Sequence, residues 1–190
     1  MNILPISIGI LAGGRGSRMG DQDKGWVKWQ GQALIEHMQQ VVRPLTNDLI
    51  ISCNRNVKRY AELADQVVTD PLHGFVGPLM GMIEVLKVAK HSHVLLLPCD
   101  APLIDQALIQ RLAKHRYPYP VALQQQGFLQ PLFSLVPKSK LPEFERLWQQ
   151  GTRSPSAVLK QLESLVLPCK DHDPRLANFN DPSFLTERVC

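Results

Sequence analysis

The sequence predicts an α/β fold built on a mostly parallel sheet. Short runs of apolar and β-branched residues alternate with longer segments of helical spacing. The runs at 6–11 (ISIGIL) and 93–97 (HVLLL) are mainly apolar, which is typical of strands that helices bury on both faces. Later, the runs at 121–124 and 128–136 flank a turn at 125–127 and predict an antiparallel excursion. We therefore expect a three-layer α/β/α arrangement.

The other elements follow in alternation along the chain. Further strands are predicted at 48–52, 66–69 and 165–167. Helical spacing of apolar residues predicts helices at 32–43, 57–64, 78–89, 105–115, 141–150, 156–164 and 182–188. Pro44 ends the first helix, and Pro78 stands at the start of the third, where its missing N–H costs nothing. Because neither a repeat nor a linker interrupts this pattern, we predict one domain over residues 1–190.

Composition and charge fit a globular protein with a small anionic ligand. Of 190 residues, 44% are hydrophobic and 20% are charged, and the formal net charge is +4. This mild basicity falls short of a nucleic-acid-binding surface, because the basic residues form no run. Neither a leader peptide nor an apolar run of membrane-spanning length is visible. We expect a cytoplasmic protein that binds neither nucleic acid nor a membrane.

The four cysteines do not indicate a metal or redox centre. Cys53, Cys99, Cys169 and Cys190 lie too far apart in sequence for a zinc knuckle or a redox pair. Cys53 and Cys99 are predicted to be small buried side chains. Unpaired cysteines agree with a reducing compartment such as the cytoplasm.

Polar residues follow the predicted strands where a ligand is expected. A glycine-rich loop follows the first strand, and Asn54, Asp70 and Asp100 follow the next three in order. In open parallel sheets, ligands bind at the carboxyl ends of the strands. These residues are therefore the candidates for one site.

The glycine-rich loop, LAGGRGSRMGDQDKG at 11–25, matches neither common phosphate-binding fingerprint. Counted from Gly13 or Gly14, the second glycine of a Walker loop is missing, and Lys24 is followed by glycine instead of a hydroxyl residue. The dinucleotide fingerprint fails because its third glycine is replaced by Met19. Two interpretations of the loop remain: a nucleotide-binding loop of another kind, or a surface turn.

The composition of this loop favours an anion site over a surface turn with solvated cations. Gly13 and Gly14 let backbone N–H groups approach an anion or a base edge. Arg18 and Lys24 can reach over a triphosphate, whereas Arg15 can either do the same or point into solvent. The loop's place directly after a strand supports the nucleotide interpretation.

Seven stretches of the chain carry a family resemblance: LAGGRGSRMGDQDKG, WVKWQGQALIEHM, SCNRN, VTDPLHGFVGPLMGM, LLLPCDAPLI, QPLFSLV and NFNDPSFL. Together they resemble the nucleotidyltransferases that activate sugars and cofactors, and most of all the molybdenum cofactor guanylyltransferases. The resemblance implies a Rossmann-like sheet of the nucleotide-diphospho-sugar transferase type. It divides the chain into a nucleotide-binding half at 1–100 and an acceptor-binding half at 101–190.

The activity that the resemblance implies is transfer of GMP from GTP to molybdopterin. The reaction would depend on Mg²⁺, release pyrophosphate and form the molybdopterin guanine dinucleotide cofactor. Proteins that deliver or insert the cofactor are implied as partners, and the chain is expected to be a monomer or a weak homo-oligomer. A cytidylyltransferase for the same cofactor or another small acceptor is an alternative, although the LAGG stretch favours guanylyl transfer. A nucleotide-binding delivery module without catalysis is a further alternative.

The resemblance also assigns roles to individual residues. Asp100, Lys24 and Arg18 are implied to be catalytic, with Asp100 as the metal ligand. The residues implied to bind GTP are Leu11, Ala12, Gly13, Gly14, Lys24, Asn54, Asp70 and Asp100. Those implied to bind the acceptor are Gly77, Gln130, Pro131, Arg153, Ser154, Asn178 and Asn180.

Some of these residues also have purely structural interpretations. Asp100 could cap the following helix, and Asp70 could form a turn before Pro71. Asp21 departs from the family pattern, because an acidic residue stands where many relatives have glycine.

Overall fold

A computed structural model describes residues 3–13, 23–71 and 77–179. Its strands are β1 (Ser7–Leu11), β2 (Lys28–Trp29), β3 (Gln32–Ala33), β4 (Leu49–Ser52), β5 (Gln66–Val68), β6 (His93–Pro98), β7 (Val121–Gln125), β8 (Phe128–Pro137) and β9 (Leu165–Pro168). Its α-helices are α1 (Leu34–Val42), α2 (Val57–Ala61), α3 (Pro78–Val88), α4 (Gln106–Ala113), α5 (Leu141–Gln149) and α6 (Pro155–Gln161).

Seven of these strands form one sheet in the order β5-β4-β1-β6-β8-β7-β9. The pairs β4–β5, β1–β4, β1–β6 and β7–β9 are parallel. Strand β8 is antiparallel to both of its neighbours, β6 and β7. The predicted parallel sheet and its antiparallel excursion are therefore confirmed.

Helices cover both faces of this sheet, as the apolar strands predicted. Leu95 and Leu97 of β6 pack with α1, α2 and α4, whereas Val94 and Leu96 pack with α3, α5 and α6. On β1, Gly9 offers no side chain to α3, and a Cβ there would run into Val85. This close approach brings the start of α3 to the carboxyl edge of the sheet.

The structure departs from the predicted elements chiefly at their ends. Helix α1 begins at Leu34 and not at residue 32, because β2 and β3 pair as a small antiparallel hairpin ahead of it. Gln30 and Gly31 turn this hairpin with φ of 50° and 83°. The Glu36 carboxylate then accepts a hydrogen bond from the Ala33 N–H at 2.9 Å, which fixes the start of the helix.

Further predictions concern two cysteines and the ends of the helices. Cys53 and Cys99 are buried, as expected. Helix α2 ends at Ala61, earlier than predicted, and the helix predicted at 182–188 lies outside the described residues. Within the described part of the chain, none of the helices combines the length and the apolar character that crossing a membrane requires.

Candidate active site

A cavity of about 370 Å³ opens at the carboxyl ends of β1, β4, β5 and β6. It lies where the sequence placed the ligand site. The described residues that line it are Leu11, Gly13, Lys24, Ser52, Asp70, Gly77, Pro78, Gly81, Pro98, Cys99, Asp100 and Leu132. Six of them were expected from the sequence, five for GTP and one, Gly77, for the acceptor.

The strongest electrostatic feature of the cavity is an ion pair between Lys24 and Asp100. The Lys24 Nζ lies 2.7 Å from Asp100 Oδ2, and the two side chains are 23% and 8% exposed. A carboxylate buried to this degree needs a compensating cation. Asp100 lies two residues after the end of β6, and its carbonyl accepts a hydrogen bond from Phe179 N–H at 2.8 Å.

The structural interpretation of Asp100 as a helix cap does not hold. Helix α4 starts at Gln106, and Asp105 is its cap, since its carboxylate accepts from Leu108 N–H at 2.7 Å. The Asp100 carboxylate is thus directed into the cavity instead of serving the helix that follows it.

Asn54 and Asp70 form a second polar pair. Asn54 Nδ2 donates to Asp70 Oδ2 at 2.7 Å, and Asp70 N–H donates back to Asn54 Oδ1 at 2.8 Å. Burial raises the pKa of the Asp70 carboxyl, with a smaller contribution from Glu84, while the Asn54 hydrogen bond opposes the shift. Asp70 faces the cavity with hydrogen-bonding capacity that Asn54 does not use up.

Gly13 lies against this pair. A Cβ at Gly13 would stand 3.3 Å from Asn54 Nδ2. The absence of a side chain at Gly13 therefore lets the backbone at the start of the loop lie close to Asn54.

The residues expected on the acceptor side are spread more widely. Gly77 lines the cavity, and Gln130 and Pro131 directly precede its lining residue Leu132. Arg153 lies 3.8 Å over the centre of the Trp148 ring and donates to the Trp148 carbonyl at 2.7 Å.

Two further residues of this group have contrasting environments. Ser154 caps α6 by accepting from Ala157 N–H at 3.3 Å. Asn178 precedes Phe179, and its buried Oδ1 has no hydrogen-bond partner among the described residues.

Sequence reasoning missed several parts of the site. Ser52, Gly81 and Leu132 line the cavity, and a strand-ending position was the signal that could have pointed to Ser52. The predictions for Gly14, Arg15, Arg18, Asp21 and Asn180 fall on residues outside the described part of the chain.

Comparison with known proteins agrees with this geometry. Residues 8–165 match the model of the MobA-like NTP transferase domain. A Pseudomonas fluorescens protein named molybdenum cofactor guanylyltransferase is 50% identical over 185 residues, which cover 96% of this chain and 92% of that protein.

Two solved structures show the same fold. Molybdopterin-guanine dinucleotide biosynthesis protein A from Archaeoglobus fulgidus superposes with a TM-score of 0.74 at 21% identity, covering 95% of both chains. The 2-C-methyl-D-erythritol 4-phosphate cytidylyltransferase from Thermus thermophilus superposes with a TM-score of 0.71 at 14% identity, also covering 95% of both chains. With its cavity, its sheet and a family match over most of its length, the chain belongs to the family of MobA-like NTP transferase domains.

Proposed function

We propose that this protein transfers GMP from GTP to molybdopterin and releases pyrophosphate. The observation that carries the proposal is the Lys24–Asp100 pair in a cavity at the carboxyl edge of the sheet. The name of the Pseudomonas fluorescens relative supports the choice of GTP and of the molybdenum cofactor as substrates.

In this proposal the nucleotide lies along the loop after β1. The main chain of Leu11, Ala12 and Gly13 approaches the nucleotide, and Gly14 continues this contact by resemblance. Asp70 accepts hydrogen bonds from guanine, which presents N1–H and the N2 amino group side by side. Asn54 holds the Asp70 carboxylate for this contact through its own hydrogen bond at 2.7 Å.

The chemistry is a displacement at the α-phosphorus of GTP. An oxygen of the molybdopterin phosphate forms a new bond to that phosphorus, and the bond to the bridging oxygen breaks. Pyrophosphate leaves with the bonding electrons. Because such transfers depend on positioning and charge neutralisation, the Lys24 ammonium contributes by facing the phosphate oxygens, with Arg18 beside it by resemblance.

The residues present fit a magnesium ion. Mg²⁺ in nucleotide sites is held by one or two carboxylates, with phosphates and water supplying the remaining oxygens. Asp100 offers one buried carboxylate, and no cluster of three ligating side chains exists among the described residues. When bound, the ion supplies charge neutralisation and orientation of the phosphates. Asp100 would hold the ion, since its carboxylate has a second oxygen besides the Oδ2 that contacts Lys24.

The acceptor is proposed to lie on the side of the cavity formed by residues 101–190, beyond the nucleotide half at 1–100. Gly77 and the Gln130–Pro131 step border that side, together with Asn178 and, by resemblance, Asn180. The Arg153 guanidinium is exposed next to the Ser154 cap, and its planar fork suits an anionic phosphate. Proteins that deliver or insert the cofactor are proposed as partners.

The test offers molybdopterin together with each of GTP, CTP, ATP and UTP and measures pyrophosphate release. We expect the highest kcat/KM with GTP. Faster release with CTP would overturn the choice of guanine.

The matched variant in the same assay is Asp100→Asn, which keeps the shape of the side chain. It is expected to lower kcat by about 10²-fold or more, as for other groups that stabilise transition-state charge. The magnesium concentration giving half-maximal rate should rise. Unchanged magnesium dependence would contradict the role of Asp100.

A further inference from the structure

Asp23, the residue before Lys24, is the centre of a hydrogen-bond cluster behind the cavity. Its Oδ1 accepts from the Tyr60 hydroxyl at 2.6 Å and from Gly25 N–H at 3.3 Å. Its Oδ2 accepts from Asn56 Nδ2 at 2.8 Å. Three donors from two parts of the chain thus converge on one carboxylate.

The two side-chain donors to Asp23, Tyr60 and Asn56, have different surroundings. Tyr60 is fully buried in the core on one face of the sheet, and its ring packs against Trp26 with centroids 5.1 Å apart. Asn56 has a left-handed backbone with φ of 51° and precedes α2 directly. An asparagine tolerates this conformation better than most residues. The position of Asp23 is therefore set by one donor that the core holds in place, Tyr60, and by a second donor at the exposed start of α2, Asn56.

The same cluster shapes the turn that carries Lys24. Asp23 caps a 3₁₀ turn over Lys24–Trp26, and a Cβ at Gly25 would collide with the Tyr60 hydroxyl. The Asp-Lys-Gly sequence at 23–25 thus has a structural explanation. The aspartate anchors the turn, the lysine leaves it towards Asp100, and the glycine makes room for the tyrosine.

We propose that Asp23 is a positioning residue, held by Tyr60 and Asn56, that places Lys24 against Asp100 and the phosphates. The proposal rests on the proposed role of Lys24 in nucleotidyl transfer. A lysine side chain has four flexible methylene groups, so the place that its ammonium group can reach depends on the position of its Cα. Small misplacements of a charge that acts on the reacting phosphate are costly in rate.

The main variant is Tyr60→Phe, which removes one donor from Asp23 and keeps the buried ring. We expect kcat for guanylyl transfer to fall about 10-fold, less than the ~10²-fold that a full 1 Å misplacement can cost. Asn56→Gly, which suits the positive φ and removes the second donor, should act in the same direction.

The discriminating measurement is the rate of amine acylation of Lys24, read by peptide mass spectrometry against the exposed Lys28. If Tyr60 acts through Lys24, Tyr60→Phe raises the labelling of Lys24 several-fold and leaves Lys28 unchanged. Ser7→Ala is the matched control, because it also removes a buried hydroxyl that donates to an aspartate, Asp48, at the opposite edge of the sheet. It should leave both the labelling ratio and kcat unchanged.

A double-mutant cycle with Lys24→Ala separates this proposal from the proposed function. In single-turnover assays, Tyr60→Phe should have little further effect once Lys24 is absent, since coupled residues are not additive. Unchanged labelling of Lys24 in Tyr60→Phe, or additive losses in the cycle, would overturn the positioning role. Full activity of Lys24→Ala would instead overturn the role of Lys24 in transfer, while the labelling result would stand by itself.

Discussion

At the scale of single residues, the buried carboxylate of Asp70 lowers the stability of the protein without ligand. Burial raises the pKa of its carboxyl above the ordinary 3.8, which means that the fold disfavours the charged form. Between the ordinary and the raised pKa, the folded state binds more protons than the unfolded state. The free energy of unfolding therefore falls as pH rises through this window, and the cost is fully present above it.

Asp70→Asn is predicted to remove this cost while weakening nucleotide binding. The amide retains an oxygen that can accept from Asn54, and the backbone N–H of residue 70 still donates to Asn54 Oδ1, so the pair keeps both of its hydrogen bonds. Urea unfolding across a pH series should show that the free energy of unfolding of the variant gains on that of the original protein as pH rises through this window. Calorimetry should show weaker GTP binding, because an amide cannot accept both guanine N–H groups.

The control for this prediction is Asp171→Asn, a matched change at an exposed aspartate. It should alter neither the pH dependence of the free energy of unfolding nor the GTP affinity. If Asp70→Asn bound GTP as tightly as the original protein, Asp70 would not be the group that reads guanine.

At the scale of elements, the start of α3 depends on the backbone of Gly77. Its φ of 94° and ψ of 169° lie in a region that is essentially restricted to glycine. Pro78 then begins the helix, and both residues line the cavity. The helix start is thus directed at the site by a conformation that other residues do not adopt readily.

Gly77→Ala is predicted to destabilise the fold by about 1–3 kcal/mol through backbone strain. A clash is not the reason, since no atom lies within 4 Å of the added Cβ among the described residues. Urea unfolding measures the loss, and the KM for molybdopterin should rise as the helix start moves.

The matched control here is Gly127→Ala in the β7–β8 turn, where φ is 77° and the added Cβ likewise meets no atom within 4 Å in the part of the chain that the structure describes. It should lose stability without a change in KM. Equal effects of both variants on KM would mean that Gly77 acts on stability alone.

Most elements could be predicted from sequence because their apolar periods are long. The β2–β3 hairpin could not, because strands of two residues carry no period. Likewise, the stretch LAGGRGSRMGDQDKG carries the family resemblance, but the contact of Asp23 with Tyr60 depends on a fold that brings together residues 37 positions apart. Asp100 could be predicted because it comes just after an apolar strand, at the end where parallel sheets bind ligands.

At the scale of the whole molecule, a buried network at the edge of the sheet opposite the cavity ties several elements together. Asp48 accepts from the Ser7 hydroxyl, from Gln66 Nε2 and from Lys90 N–H. Burial acts to raise the pKa of the Asp48 carboxyl, but these hydrogen bonds outweigh it and hold the pKa below its ordinary 3.8. The network joins β1, β4, β5 and the segment before β6.

Asp48→Asn is predicted to lower the free energy of unfolding at neutral pH by about 1–3 kcal/mol, since a buried acceptor is lost. In the original protein this contribution is present above the ordinary pKa and is lost as pH falls through the lowered one. Acid unfolding followed by circular dichroism should therefore be less steep in the variant. A variant whose acid unfolding is as steep as that of the original protein would contradict the role of the network.

The position of β8 has a consequence for how the chain is made. Strand β6 ends at Pro98, but its neighbour in the sheet, β8, begins only at Phe128. While the ribosome adds the intervening residues, the mainly apolar strand β6 is paired with β1 on one side and has an open row of backbone donors and acceptors on the other. Such edges recruit other chains. The nascent protein therefore passes through an interval of exposure to aggregation that ends when the β7–β8 hairpin emerges, and a fragment that stops before Phe128 should depend on chaperones to stay in solution.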